Sequence, residues 1–406
     1  MQRKYVWPED HWQWQIPVTH KHGLRDGELV FVGGEVDMDK ACMIRHPGDL
    51  VGQTEGVLDN IAIILEECGA DFDDIVKLVV FYESNGEVNE IDLLNQIKRR
   101  FSCAVLPVVA AIPLPVLAWP DLKVEIEAIA MRAPDGKRLP RTASNPKNHW
   151  VWPFNHGIRC GDYIFVGTQM PLDSNSSVLA QGDLVRQAQI NIENLDAVLS
   201  GFGADRADVC RINTFYLGHG TAEDWKKAGE IRGNAFDWPG PVGTGVPVPV
   251  LHPTGVTQRQ EAVAMLSNDG TRLPRTALRP QDHWDWPSAI NFQQVVKVGR
   301  MVFVGGQISA RGQGDVKFPN DLEAQTHEVM RNIDVCLQSV GAGLDDIVKM
   351  NTFFKGGADF DHPIRYFRIR SGYFNDPGPT TTGVPLDKIA IEGLELEIEA
   401  YALVDE

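Results

Sequence analysis

One stretch of this chain is written three times. Phe31-Val32-Gly33-Gly34-Glu35 returns as Phe165-Val166-Gly167-Thr168-Gln169 and again as Phe303-Val304-Gly305-Gly306-Gln307. Asn60, Asn194 and Asn332 each stand seven residues after a Gln and nine before a Gly-Ala. Matches at a fixed period mean tandem copies of one structural unit that share one packing solution. A chain of 406 residues is too long for one ordinary core. The repeat divides it into 1–140, 141–274 and 275–406.

Local pattern supplies the elements of each copy. Val30-Phe31-Val32 and its equivalents are β-branched and aromatic runs closed by glycine, hence strands. From Val57 to Cys68 the apolar residues fall at helical spacing and the run stops at Gly69, which predicts a helix. Val79-Val80-Phe81 and Val124 to Ala130 read as strands, with a second helix around Ile91 to Arg100 between them. The expected order is strand, strand, helix, strand, helix, strand: an α+β unit with its helices on one face of a mixed sheet. Arg138-Leu139-Pro140-Arg141-Thr142-Ala143 reappears as Arg272-Leu273-Pro274-Arg275-Thr276-Ala277, and its proline marks it as a surface connector.

Composition narrows the function. Hydrophobic residues make up 43% and charged residues 23%, and the net charge is −17 with scattered basic residues. Nucleic-acid affinity rests on neutralising phosphates with Lys and Arg, so no nucleic-acid partner is expected. No run approaches the roughly 18 apolar residues of a membrane span, and the opening residues have no signal-like apolar core, so a cytoplasmic protein without a membrane partner is expected. The six cysteines form no CxxC pair, and buried free thiols are expected. His20-Lys21-His22 lacks carboxylate support, and no HExxH, P-loop, GxGxxG or GxSxG motif occurs, so neither a metal nor a cofactor is expected.

The glycine-ended strand, the Asn-helix-Gly-Ala, Asp73-Asp74-Ile75-Val76-Lys77 with its two counterparts, and the closing Val124-Glu125-Ile126-Glu127-Ala128-Ile129-Ala130 together resemble the RidA/YjgF superfamily. The resemblance covers nearly all of each copy. It implies a chorismate-mutase-like fold and, with three copies in one chain, an intramolecular pseudo-trimer with a small-molecule cleft at each boundary. It also implies hydrolysis of enamines or imines, with a carboxylate-binding arginine fifteen residues before the first Glu of the closing strand and that Glu positioning the attacking water.

Here the chain departs from the pattern. The arginine positions are Ala110, Thr244 and Thr382, so an α-imino acid is not required as substrate and a neutral or aromatic one is expected. Arg99-Arg100-Phe101-Ser102-Cys103 resembles the family's Arg-Ser-Cys but lies too far before Glu125. The closing Glu survives as Glu125 and Glu397 and is Arg259 in the second copy, so the clefts are not equivalent. Arg259 either binds a ligand carboxylate or pairs with an acid at the surface.

Candidate catalytic residues are therefore Glu125 and Glu397, with His22 and His156 as possible acids or bases near neutrality. These histidines share one place in the repeat, and the third copy has Gln294 there, so a hydrogen-bonded strand residue is the alternative. Ligand contacts are expected at Gly34, Thr168 and Gly306, and at Thr244, Thr382 and Arg259. Each copy also carries His-Trp-x-Trp (His11, His149 and His283). Its second tryptophans, Trp14, Trp152 and Trp286, belong either to an aromatic wall over each cleft or to a clasp that fixes each linker. The expected function is hydrolysis of an imine, enamine or amide-like C–N bond. The alternative is a non-catalytic binding or scaffold protein that keeps the trimeric shell.

Overall fold

The computed structural model describes residues 3–84, 88–357 and 361–405. It contains three six-stranded sheets, one per copy. In the first, the order across the sheet is Lys4–Val6, Gly23–Asp26, Leu29–Glu35, Val124–Met131, Ile75–Glu83, Val108–Leu114. The other two sheets repeat this order, and in each only the last pair is parallel. Two helices cover one face of each sheet: α1 (Leu50–Glu67) and α2 (Glu90–Lys98), α3 (Leu184–Ser200) and α4 (Ala222–Asn234), α5 (Leu322–Ser339) and α6 (Asp361–Ser371). The first helix of each copy is capped by an aspartate, Asp49, Asp183 or Asp321, whose carboxylate accepts a free N–H of the first turn. No helix of the described residues is long and apolar enough to cross a membrane.

Each six-stranded sheet has two more strands than the sequence reading assigns. Arg141–Ser144 and Arg275–Leu278, read as connectors, pair antiparallel as edge strands. The parallel strand Val108–Leu114 was hidden by its alanines and by Pro113, a residue tolerated at a sheet edge because it has no N–H to donate.

The sheet face away from the helices is buried between copies. Leu24, Phe31, Phe165, Phe303 and Tyr401 belong to one shared core, and Phe81, Phe215 and Phe353 to a second, with Phe215 about equally far from the other two rings (6.4 and 6.0 Å between centroids). Each such side chain contributes about 1.5–3 kcal/mol on burial. The contacts close a ring: Val108–Leu114 lies against Tyr163–Gln169 of the second copy, Val242–Val248 against Met301–Gln307 of the third, and Thr380–Leu386 against Leu29–Glu35 of the first. Glycine permits this approach. A Cβ on Gly33 would lie 2.9 Å from the Thr381 carbonyl, and on Gly305 3.0 Å from that of Gly243. The fold is thus an α+β pseudo-trimer within one polypeptide.

Candidate active site

Two of the three seams present a buried carboxyl. Glu125 sits on the central strand of the first sheet, beside Gly34, and faces Thr381 and Gly383 of the third copy. Glu397 sits beside Gly306 and faces Thr244 and Gly245 of the second. The glycines make room for the acids: a Cβ on Gly34 would fall 1.9 Å from Glu125 Oε1, and one on Gly306 1.8 Å from Glu397 Oε1. Both carboxyls are 5% exposed. Burial, reinforced by neighbouring Glu127, pushes Glu125 up to about 8, with Lys349 and the Gly383 N–H opposing. Burial and Glu399 do the same to Glu397, also to about 8, against the Gly245 N–H. Both groups hold a proton at neutral pH.

The seam between the first and second copies differs. Thr168 replaces the glycine, and Arg259 replaces the acid and turns to Glu90 at the start of α2. The two make a paired contact at 2.7 and 3.1 Å, and Arg259 also donates to the carbonyls of Ala111 and His252. Tyr82 donates to the same Glu90 at 2.6 Å. Arg259 therefore pairs with an acid, and that acid is buried rather than at the surface. Its charge is satisfied within the protein.

A second carboxylate, two residues along each closing strand, meets a cation from the preceding copy. Lys77 binds Glu261 at 2.6 Å, Arg211 binds Glu399, and Lys349 binds Glu127 at 3.0 Å. Thr382 is drawn into the last pair, donating to Glu127, whereas Thr244 Oγ1 accepts the Gly306 N–H at 3.0 Å. The Gly306 N–H, expected to meet ligand, is thus already engaged.

The His-Trp-x-Trp element divides its roles. His11 and Trp12 both bond Glu35 Oε2 at 2.8 Å, and His283 and Trp284 bond Gln307 Oε1 at 2.8 and 3.2 Å. In the second copy His149 bonds Gln169 at 3.1 Å. His22, His156 and Gln294 occupy one place and each donates to the carbonyl of the first tryptophan, at 3.0 to 3.1 Å. These contacts form a clasp, and His22 and His156 are not among the residues lining the clefts. Burial would raise Glu35, but His22 and His11 hold it down to about 2. The second tryptophans do line the seams: Trp14 beside Glu125, Trp286 beside Glu397, and Trp152 in the groove of the Arg259 seam. His11, His22 and Glu35 bring three ligand-type atoms together, but in the third copy Gln307 and Gln294 make the same bonds, so the cluster fits a hydrogen-bonded clasp better than a cation site.

The cleft at Glu397 is a narrow space between the second and third copies, open in part to solvent. Its walls are mainly apolar and aromatic, with Trp225, Trp284, Trp286 and Phe292 among them. Two polar residues that the sequence reading missed also line it, Tyr216 and Arg232. The signal was available. Arg232 and Arg370 each follow an isoleucine and stand eight residues before a Gly-Pro. The Arg100 segment is occupied elsewhere, with Arg100 on Glu55 and Asp59 and Ser102 on Asp73.

Similarity to known proteins agrees with this architecture. A RutC family protein of Pyrococcus abyssi is 32% identical over 111 residues, 27% of this chain and 84% of that protein. The 2-iminobutanoate/2-iminopropanoate deaminase of Mus musculus is 30% identical over 115 residues, 28% of this chain and 82% of that enzyme. A chorismatase crystal structure superposes with a TM-score of 0.54 at 13% identity, covering 81% of this chain and 93% of that one, a likeness of fold. The Endoribonuclease L-PSP family model matches three times, at residues 17–132, 146–264 and 285–404. With three matches spanning most of its length, the chain belongs to this family, that of RidA and YjgF, as three copies fused in tandem.

Proposed function

We propose that the protein hydrolyses a C–N bond of the imine or enamine type in the clefts that hold Glu125 and Glu397. The observation that carries this reading is a buried carboxyl facing an inter-copy cavity at two seams, with burial favouring its protonated form, in a fold whose relatives include iminoacid deaminases. The neutral carboxyl donates its proton to the imine nitrogen, which makes the carbon electrophilic. The resulting carboxylate takes a proton from water as the oxygen attacks, giving a carbinolamine and regenerating the acid. Collapse moves the hydroxyl proton to nitrogen through the same carboxyl, so that C=NH and water become C=O and ammonia. A group titrating near the working pH suits both directions of transfer.

The arginine that the family resemblance assigns to the edge strand is Thr244 or Thr382 in these clefts, so charge recognition has to come from another element. The Arg259 seam supports the scaffold reading for itself alone, since its polar centre is filled by Glu90. Ammonia release from a panel of aliphatic and aromatic imines tests the proposal. Glu125→Gln with Glu397→Gln should lower the rate by about a hundredfold or more. A wild-type rate no higher than that of buffer rejects it.

A further inference from the structure

The cleft between the second and third copies contains two polar groups to which the hydrolytic steps give no role. Arg232 on α4 is 4% exposed. Among the described residues it makes one hydrogen bond, from Nη1 to Gln258 Oε1 at 3.0 Å, and no ion pair. Tyr216, 1% exposed, has its hydroxyl buried without a partner. Both line the cavity that Glu397 faces. A buried guanidinium without a counter-ion is unfavourable, and desolvation draws that of Arg232 down to about 10.

The Arg259 seam shows what such donors accept. Tyr82, the counterpart of Tyr216, donates to Glu90, and the same carboxylate receives Arg259 in two-pronged fashion. One carboxylate there satisfies a tyrosine and an arginine. In the Glu397 cleft a tyrosine and an arginine again line one space, with no protein carboxylate paired to Arg232. The third seam lacks this arrangement. Phe354 stands where the tyrosine would be, and Arg370, although also buried without an ion pair among the described residues, donates to Thr352 and lies over the rings of Tyr366 and Phe367.

We propose that the Glu397 cleft binds its ligand through a carboxylate held by Arg232 and Tyr216, with an apolar ring packed among Trp225, Trp286 and Phe292 and the reacting bond toward Glu397. The inference rests on the reading of this cleft as a C–N hydrolase site and names its substrate class, a cyclic or aromatic carboxylic acid. A guanidinium suits this role because its fork matches the two carboxylate oxygens. The neutral Glu397 carboxyl does not repel such an anion.

Calorimetric titration of the intact protein at pH 7 with benzoate and with its neutral isostere benzamide tests the clamp. Benzoate should bind about tenfold tighter or more. Arg232→Leu should remove that preference, and Tyr216→Phe should weaken benzoate while leaving benzamide unchanged. Equal or tighter binding of benzamide by the wild type, or no benzoate binding at millimolar concentration, overturns the clamp whether or not any variant folds. Glu397→Gln separates the two readings, because it should abolish ammonia release from this cleft yet keep the benzoate preference. A benzoate preference with no ammonia release from any imine keeps the clamp and rejects the hydrolase. Ammonia release indifferent to Arg232→Leu does the reverse.

Discussion

Arg259 and Glu90 come from different copies and meet as a buried, two-pronged ion pair, the guanidinium nitrogens 2.7 and 3.1 Å from the two carboxylate oxygens. Arg259 is 1% exposed and Glu90 8%. Removing one partner leaves the other charge buried and alone, so Glu90→Ala should cost about 3–5 kcal/mol. Replacing both, as Arg259→Met with Glu90→Leu, should cost far less. Urea unfolding of the two single variants and the pair measures this, and additive losses would show that the contact carries no coupling.

The two cleft acids make stability depend on pH in a defined direction. Folding raises Glu125 and Glu397 from 4.5 to about 8. Between those values the native state holds protons that the unfolded chain has released. Their contribution is complete below 4.5 and is lost as pH rises to about 8, with a slope of about 1.4 kcal/mol per pH unit for each group. Glu397→Gln should remove one group's share of that slope. Urea midpoints measured from pH 5 to 9 give the comparison, and a slope unchanged by the substitution would contradict the raised values.

Glu35 titrates the other way and is held at about 2. Its stabilising share is present above 4.5 and is lost as pH falls toward 2. Glutamine does the same bonding at position 307, where it holds His283, Trp284 and Gln294, whereas Gln169 holds only His149. Glu35→Gln should therefore cost about 1–2 kcal/mol, and Glu35→Ala, which strips the acceptor from buried His11, His22 and Trp12, more than that. Thermal melts of the two variants should rank them in that order.

Thiol reactivity should split into two classes. Cys68, Cys160, Cys210 and Cys336 are buried, while Cys42 and Cys103 are partly exposed, and all six are free. Burial pushes Cys68 and Cys210 up to about 12 and Cys160 to about 11, which disfavours the reactive thiolate. A thiol-specific reagent should label two cysteines quickly in the native protein and all six after denaturation. Rapid native labelling of Cys210 would contradict the packing of the shared core.

Much of this architecture was legible because the chain supplies its own alignment. The matched Phe-Val-Gly strands, the Asn-bearing helices and the closing Glu-x-Glu strands located the sheets, and the change from Glu to Arg259 marked the clefts as unequal. The edge strands were hard to see since pairing, not composition, defines them, and Arg-Thr-Ala after a proline has weak strand propensity. The partner of Arg259 was invisible for a different reason. Glu90 lies in another copy, 169 positions away, and nothing in local sequence links the two. The repeat marked Arg232 and Arg370 as equivalent, but an arginine on a helix is ordinarily a solvated residue, so only burial and the missing counter-ion set Arg232 and its neighbour Tyr216 apart.

The order in which the ring is assembled follows from which copies build which seam. Domains emerge from the ribosome one after another and fold as units, the N-terminal one first. The earliest seam to close is the one locked by Arg259 and Glu90. Glu125 needs its opposite wall from the third copy, and Glu397 belongs to the third copy itself. A nascent chain that has released only two copies therefore carries a sealed joint and neither acid-bearing cavity, so both cavities come into being together, once the third copy has emerged.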